Sequence, residues 1–264
     1  MGGGGMAIGG VGALIIIVIG ALLGVDVTPL LQGGGGSIQN NGPVEITEAD
    51  QQAGEFVAVT LADTEAVWTE IFAQQRIGTY EPATLVLYKG GTQSACGGAS
   101  MATGPFYCPV DKKVYLDTDF FTVMRQRLGA GGDFAAAYVV AHEIGHHVQD
   151  ELGILSKTTE IRQQVDQATS NQISVLVELQ ADCYSGIWAR YAKDRIGVVE
   201  PGDLDEAMNA AAQIGDDTLQ KSAGQRVQPE SFTHGSSKQR QEWFAQGYKT
   251  GDINACDTFK DANL

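Results

Sequence analysis

The chain has 264 residues, enough for one large domain or two small domains with a sizeable hydrophobic core. Its 17 Lys and Arg residues against 32 Asp and Glu residues give a formal net charge of −15. A chain this acidic is repelled by nucleic-acid phosphates, and the sequence contains no basic stripe that would offset the repulsion. The composition therefore argues against a nucleic-acid partner.

An apolar segment without any charged side chain covers residues 6–25 (MAIGGVGALIIIVIGALLGV). A helix of this length spans about 30 Å, the thickness of the hydrocarbon core of a bilayer. The alternative is a signal peptide, whose apolar region is usually about 7–15 residues long and follows a basic segment that is missing here. We therefore predict an uncleaved transmembrane anchor within residues 1–31. Because no Lys or Arg precedes Arg76, the positive-inside rule sets no orientation.

A polar, glycine-rich stretch follows at residues 32–44 and is predicted to be a flexible linker. The folded domain is predicted to cover residues 45–264. Helical spacing of apolar residues covers 48–75, and a short β-branched and aromatic run at 83–90 predicts a strand. Residues 106–117 have the pattern of a β-hairpin.

Helical patterns dominate the rest of the chain. The predicted helices cover residues 118–129, a stretch that Asp133 caps and Gly153 ends, one or two helices within 156–195, residues 209–220, and residues 236–251 with serine at the N-terminal cap. The pattern predicts an α+β fold, a mostly helical single domain with a small sheet.

The chain contains four cysteines, Cys96, Cys108, Cys183 and Cys256, and none forms a CxxC pair that would predict a zinc knuckle. An even count favours two disulfides and an oxidising compartment, whereas buried free thiols are the alternative. Of the three possible pairings we favour Cys96–Cys108, closing a glycine-rich loop, and Cys183–Cys256, tying the C-terminal segment to a helix. Together with the anchor, this places the domain on the extracytoplasmic side of the cytoplasmic membrane.

Three of the four histidines lie in AHEIGHHVQD, residues 141–150. On a helix, His142 and His146 are about 40° apart around the axis and can converge on one ion. His147 is about 140° from His142 and cannot join them. Glu143 flanks the shared face, so the segment has the HExxH pattern.

Neutral imidazoles suit zinc, and two of them leave room for a third protein ligand and a water. Zinc lowers the pKa of such a water toward about 7, and Glu143 can act as the general base that takes its proton. The alternative is a pair of solvated surface histidines. The apolar run FAAAYVVA before the motif argues against it, because it predicts a helix that is buried on most sides.

The candidates for a third ligand are His147, Glu178, Asp182, Cys183 and His234. The segment VELQADCYSG places Glu178 and Asp182 four residues apart on an otherwise apolar helix. Carboxylates on such a face are costly unless they are neutralised. We predict Glu178 as the metal ligand and Asp182 as the acceptor of a ligand-histidine N–H. The alternative is a pair of carboxylates near a helix N-terminus without any metal.

The segments HEIGHHVQ, ELQADCYSG and SFTHGSS…QRQEWF resemble the bacterial membrane-anchored neutral zinc metallopeptidase family. The resemblance covers nearly the whole chain, including the glycine-rich N-terminus and CGGAS…GPFYCPVDKKVYLD. It implies a zincin-like fold of the gluzincin type, Zn²⁺ bound by His142, His146 and Glu178, and Glu143 as catalytic base. Members often carry basic residues before the span, and this chain begins with glycines instead.

His234 lies in SFTHGSS, and related zincins place a His or Tyr where it donates to the developing oxyanion. We therefore name His234 as a second catalytic candidate, beside the alternative of a loop histidine next to a helix cap. The hairpin at 106–117 can also serve as an edge strand on which an extended peptide pairs.

Three functions remain open from the sequence. The leading prediction is a membrane-anchored, zinc-dependent endopeptidase with a polypeptide substrate. The second is a non-catalytic, membrane-tethered binding protein stabilised by zinc, whose signature is a closed site with four protein ligands. The third is a zinc amidase that acts on cell-wall peptides.

Overall fold

The computed structural model describes residues 46–100, 103–260 and 262. The predicted anchor and linker lie outside these residues. Within the part that is described, no helix combines the length and the apolar character needed to cross a bilayer.

The described residues form a mostly helical α+β fold. The helices are α1 (Glu48–Gln74), α2 (Asp119–Arg127), α3 (Asp133–Glu151), α4 (Ile154–Arg162), α5 (Gln167–Tyr191), α6 (Asp203–Gln213), α7 (Asp216–Ser222) and α8 (Ser237–Thr250). The strands are β1 (Thr84–Tyr88), β2 (Gly91–Ser94), β3 (Gly97–Ser100), β4 (Phe106–Cys108) and β5 (Lys113–Asp117). Shorter helical segments cover Ala192–Ile196, Pro229–Ser231 and Ile253–Cys256.

The strands form a three-stranded sheet in the order β1-β5-β4 and a separate β2–β3 hairpin. β4 pairs antiparallel with β5, which confirms the predicted hairpin, with Phe106 opposite Tyr115. β1 pairs with β5 in parallel, with Thr84 opposite Lys113. The β2–β3 hairpin was not predicted, because its glycine-rich sequence lacks the β-branched alternation that marks a strand.

The hydrophobic core surrounds α3, whose side chains are buried along most of its length. α1 contributes Trp68 and Ile71, both fully buried, and α5 contributes Ile187. At Gly145, an added Cβ would lie 3.0 Å from the backbone oxygen of Ala181, so the missing side chain lets α3 approach α5 closely. This approach sets the distance between the two helices that carry the predicted metal ligands.

Two glycines bring α5 still closer to α8. A Cβ at Gly186 would overlap the carbonyl oxygen of Phe244, and a Cβ at Gly247 would overlap the carbonyl oxygen of Cys183. Because backbone meets backbone here, α8 is held in a fixed position against α5. The C-terminal part of the sequence thus reaches the centre of the domain.

The predicted N-cap of α3 is wrong. The helix begins at Asp133, and Gly132 occupies the cap position with φ of 108°. A side chain at Gly132 would overlap the carboxylate of Glu206, which accepts the N–H of Phe134 at 3.2 Å. A carboxylate from α6 therefore accepts a free backbone N–H at the start of α3. The local sequence around Asp133 gives no signal for a partner so distant along the chain.

The single helix predicted over 209–220 is also wrong, because the chain breaks at Gly215 between α6 and α7. The backbone of Ser237 packs against Gly215 and leaves no space for a side chain there. The region 156–195 contains two helices, and Asp166 caps α5 by accepting the N–H of Thr169 at 2.9 Å. The predicted serine cap of the last helix is confirmed, with Ser236 in a capping box.

The structure contains two disulfides in the pairing that the sequence favours. Cys96–Cys108 ties the turn between β2 and β3 to β4. Cys183–Cys256 ties α5 to the C-terminal segment and is fully buried.

Candidate metal centre

His142, His146 and Glu178 come together where α3 packs against α5. Nε2 of His142 lies 3.1 Å from Oε2 of Glu178, and Nε2 of His146 lies 3.5 Å from Oε1 of the same carboxylate. One donor atom from each residue lies within 4.8 Å of the other two. Among the described residues, no further His, Cys, Asp or Glu joins this group.

These distances fit a tetrahedral zinc ion. With zinc bonds of about 2.0–2.2 Å, neighbouring donor atoms are separated by about 3.3–3.6 Å. The two observed separations, 3.1 and 3.5 Å, lie close to that interval. Two imidazoles and one carboxylate are also a donor set that zinc uses in catalytic sites, with one position left for solvent.

The second ring nitrogen of His142 faces Asp182. Nδ1 of His142 lies 2.9 Å from Oδ1 of Asp182, so the ring donates from Nδ1 and directs Nε2 toward Glu178. The hydroxyl of Tyr138 donates to the same Asp182 oxygen at 2.6 Å. The predicted role of Asp182, accepting a hydrogen bond from a ligand histidine, agrees with this geometry.

A buried arginine completes the surroundings of Asp182. Nε of Arg240 donates to Oδ2 at 2.8 Å, and Nη2 donates to Oδ1 at 3.0 Å, which makes a bidentate pair. Both side chains are almost fully buried. Burial raises the pKa of Asp182, but Arg240 and His142 outweigh that effect and hold it below its usual value. Asp182 therefore stays ionised inside the domain.

The second ring nitrogen of His146 is held by an amide. Nδ1 of His146 donates to Oε1 of Gln149 at 2.8 Å. The amide nitrogen of Gln149 donates to the carbonyl of Val177 at 2.7 Å, which fixes the orientation of the amide. Gln149 also donates to Oε1 of Gln180. The amide nitrogen of Gln180 in turn donates to the carbonyl of Cys256. Both histidines thus direct Nε2 toward Glu178.

The charges of the group are mutually stabilising. Burial lowers the pKa of His142, but Asp182 and Glu178 outweigh it and raise the value to about 9. Burial also raises the pKa of Glu178, and the imidazoles of His146, His234 and His142 lower it well below the usual range. The carboxylate is therefore negative and available to a cation.

Glu143 is buried beside the group without being part of it. Burial raises its pKa, while the imidazoles of His146 and His142 partly oppose the rise. A carboxylate with a raised pKa is a better proton acceptor in neutral solution than an ordinary one. Its side chain lines the same cavity as the two histidines.

His147 points away from the group, as its angular position on the helix predicts. Its Nε2 lies 2.6 Å from the carbonyl oxygen of Glu81, and its Nδ1 lies 3.1 Å from the hydroxyl of Tyr107. That hydroxyl donates to Asp150 at 2.8 Å. His147 therefore fastens α3 to β4 and to the loop before β1, which is a structural role.

His234 lines the same cavity and is oriented by Asp216. Oδ2 of Asp216 accepts the backbone N–H groups of Thr233, His234 and Gly235 at 2.8, 2.7 and 3.0 Å. Oδ1 lies 3.4 Å from Nδ1 of His234. Burial lowers the pKa of His234, but the carboxylates of Glu178 and Asp216 outweigh it and raise the value. The imidazole thus holds its proton more tightly than a free imidazole does.

The cavity in front of the group has a volume of about 420 Å³ and a mostly apolar wall. Its apolar side chains come from β4 and from five helices, and include Phe106, Phe120, Val139, Leu155, Val177 and Leu219. The edge strand β4 forms part of one wall. A volume of this size accommodates a few residues of a peptide chain.

Several residues of the site were not predicted, among them Tyr138, Arg240 and Asp216. Their partners are distant in sequence, so no spacing rule applies to them. Arg240 lies in the QRQEWF segment that contributes to the family resemblance, and that is the signal from which it could have been found. Gln149 lies in the HEIGHHVQ segment, three residues after His146.

The chain is similar to one described family and to several individual proteins. Residues 1–259 match the family model described as "Putative neutral zinc metallopeptidase". The chain is 46% identical over 252 residues to the uncharacterized protein YpfJ of Escherichia coli K12, which covers 95% of this chain and 86% of that protein. It is 46% identical over 218 residues to an uncharacterized protein of Mycobacterium tuberculosis H37Rv, and the match covers 79% of this chain and 71% of that protein. No solved structure matches the chain significantly.

Proposed function

Since the chain belongs to the family described as "Putative neutral zinc metallopeptidase", we propose that it is a membrane-anchored, zinc-dependent endopeptidase with a zincin-like fold of the gluzincin type. The observation that carries the proposal is the convergence of His142, His146 and Glu178 at the wall of a cavity that Glu143 also lines. The three converging side chains are the zinc ligands in this proposal.

Zinc bound by these residues would polarise a peptide carbonyl and acidify a water beside it. Glu143 then takes the proton from the attacking water and passes it to the leaving amine. Its burial supports this role, because a carboxylate with a raised pKa holds the proton long enough to deliver it. Glu143 therefore serves first as general base and then as general acid.

His234 is proposed to stabilise the oxyanion that develops on the carbonyl oxygen. Nδ1 faces Asp216, so the protonated imidazole carries a second N–H on Nε2. Its side chain is 35% exposed and lines the cavity, where it is accessible to a substrate. A preorganised donor of this kind contributes about 10²–10³-fold to turnover.

An open metal site supports catalysis over a purely structural role for zinc. Structural zinc sites have four protein ligands, most often including cysteine. All four cysteines of this chain are paired in disulfides. The described residues offer three donor groups, and the cavity that they line would leave room for a water on the bound metal.

We place the domain on the extracytoplasmic side of the cytoplasmic membrane. The two disulfides support an oxidising compartment. The uncharged segment 6–25 supports a single transmembrane anchor, and residues 32–44 would then form the tether. The substrates in this proposal are polypeptides that reach the outer face of that membrane.

The edge strand β4 is the proposed docking place for the backbone of the substrate. It pairs with β5 along one edge of the sheet, and its residues Phe106 and Tyr107 line the cavity. An extended peptide that adds to this edge gains main-chain hydrogen bonds without a strong requirement for sequence. The Cys96–Cys108 disulfide fixes the end of the strand.

The test is incubation of the purified full-length chain with an unbiased peptide library, with and without a chelator, and identification of products by mass spectrometry. The chelator-sensitive appearance of new peptide termini is the expected result. The variant E143Q is expected to keep zinc and to lose about 10²–10⁴-fold in turnover. The variant E178A is expected to lose most of the metal.

A matched control is E160Q, the same exchange on the exposed surface of α4 outside the cavity. It should retain both zinc and turnover. Equal turnover in the parent protein, E143Q and E178A would remove the assignment.

A further inference from the structure

One cationic side chain in the cavity has no role in the site described above. Arg162 is the last residue of α4 and lines the cavity together with Glu143 and Glu178. Its Nε donates to Oγ of Ser170 at 3.2 Å, which holds the side chain against the start of α5. The residue as a whole is exposed, so its remaining guanidinium donors are accessible from the cavity mouth.

The other charged groups that line the cavity have partners. Arg240 is paired with Asp182, and His234 faces Asp216. Glu178 faces two imidazoles, and Glu143 lies beside the same imidazoles. Arg162, by contrast, forms no salt bridge within 4.0 Å with any residue in the described part of the chain, and the charge of Glu178 acts on it only over a longer distance. It is thus a cation without a contact ion-pair partner that lines a mostly apolar cavity.

We propose that Arg162 binds a carboxylate of the substrate and makes the enzyme prefer acidic peptides. This inference rests on the proposed peptidase function and names a substrate class for it. A guanidinium offers two parallel donors that match the two oxygens of a carboxylate. The carboxylate is supplied either by an Asp or Glu side chain or by a free C-terminus.

The helix α5 gives the spacing between this contact and the reacting bond. Ser170 and Glu178 are eight positions apart on α5, which corresponds to about 12 Å along the axis. An extended peptide advances about 3.3 Å per residue. The preferred carboxylate should therefore lie about three or four residues from the scissile bond.

The test uses two sets of peptides with one cleavable sequence. In the first set a single Glu is moved through the positions on either side of the scissile bond, each compared with its Gln counterpart. In the second set the C-terminus lies at the same range of distances and is either a free acid or an amide. Both kcat/KM of the parent protein and the affinity of the zinc-loaded E143Q variant are measured.

We expect the carboxylate to improve kcat/KM and affinity by about tenfold at the predicted spacing, mainly through KM. The set that shows the preference identifies the source of the carboxylate. R162Q should reduce the ratio between acidic and neutral peptides to about one, and R162K should restore part of it. The control R226Q removes the same charge from an exposed loop position outside the cavity and should leave the ratio unchanged.

The proposal is overturned if the parent protein shows no preference for the acidic peptides, or if R162Q keeps the preference. The binding measurement in the E143Q background separates this result from the fate of the peptidase assignment. Peptides that bind with the expected preference and are never cleaved would contradict the peptidase function and support the role of Arg162. Cleavage without preference would contradict only the role of Arg162.

Discussion

Nδ1 of His142 lies 2.9 Å from Oδ1 of Asp182, across the contact between α3 and α5. This contact orients the imidazole so that Nε2 faces Glu178 at 3.1 Å. The variant D182N keeps the volume of the side chain and loses the charge that holds the ring. We expect the affinity for zinc to fall by about 10–100-fold, measured by competition with a fluorescent chelator.

The control for this variant is D194N, the same exchange at an exposed residue of the segment after α5. Since loss of the Asp182 charge leaves Arg240 buried without a partner, Y138F provides a milder test. It removes only the hydroxyl that donates to Asp182 at 2.6 Å, and a smaller loss of affinity is expected. Unchanged zinc affinity in folded D182N would contradict the role of Asp182.

The carboxylate of Asp216 should make the stability of the fold depend on pH. Burial raises its pKa, but the imidazole of His234 and the backbone N–H groups outweigh it, so the pKa is lowered. An acid whose folded pKa is lowered stabilises the fold above its unfolded pKa of about 3.9, and this contribution is lost as the pH falls through the folded pKa. D216N should therefore lower the free energy of unfolding by about 1–3 kcal/mol at pH 7.

The same variant should approach the stability of the parent protein as the pH falls from about 3.9 through the lower folded pKa of Asp216. Urea unfolding at a series of pH values measures the difference. D205N, at an exposed position of α6, should follow the parent protein at every pH. A constant difference between D216N and the parent across the series would show that the charge of Asp216 is not responsible.

The two disulfides should contribute unequally to stability. Cys183–Cys256 closes a separation of 73 residues, and Cys96–Cys108 closes one of 12. In the chain-entropy model the losses on removal are about 4 and about 3 kcal/mol, respectively. Chemical unfolding of the two double-alanine variants tests this order, and a larger loss for the shorter loop would contradict it.

The close approach of α5 and α8 should be intolerant of a single methyl group. A side chain at Gly247 would overlap the carbonyl oxygen of Cys183, so G247A must push the helices apart. We expect a loss of about 1–3 kcal/mol in stability. Because α8 carries Arg240, a weaker affinity for zinc should accompany it. E242A, on the exposed face of α8, should leave both quantities unchanged.

The part of the site that could be predicted is the part that follows local periodicity. His142 and His146 share a helix face because they are four residues apart. Glu178 is predicted because a carboxylate on an apolar helix costs free energy unless a partner neutralises it. The pairing of Arg240 with Asp182 could not be predicted, because it depends on how α8 docks against α5. For the same reason the β1–β5 pairing and the Glu206 cap on α3 could not be predicted, because they join residues far apart in sequence.

Zinc content and the zinc K-edge X-ray absorption spectrum of the purified full-length chain test the central claim most directly. We expect one zinc per chain with nitrogen and oxygen ligands at about 2.0–2.2 Å, including the multiple-scattering signal of two imidazoles. H146A should lose that signal together with the metal. A chain without stoichiometric zinc, or zinc bound to sulfur at about 2.3 Å, would contradict a centre built from His142, His146 and Glu178.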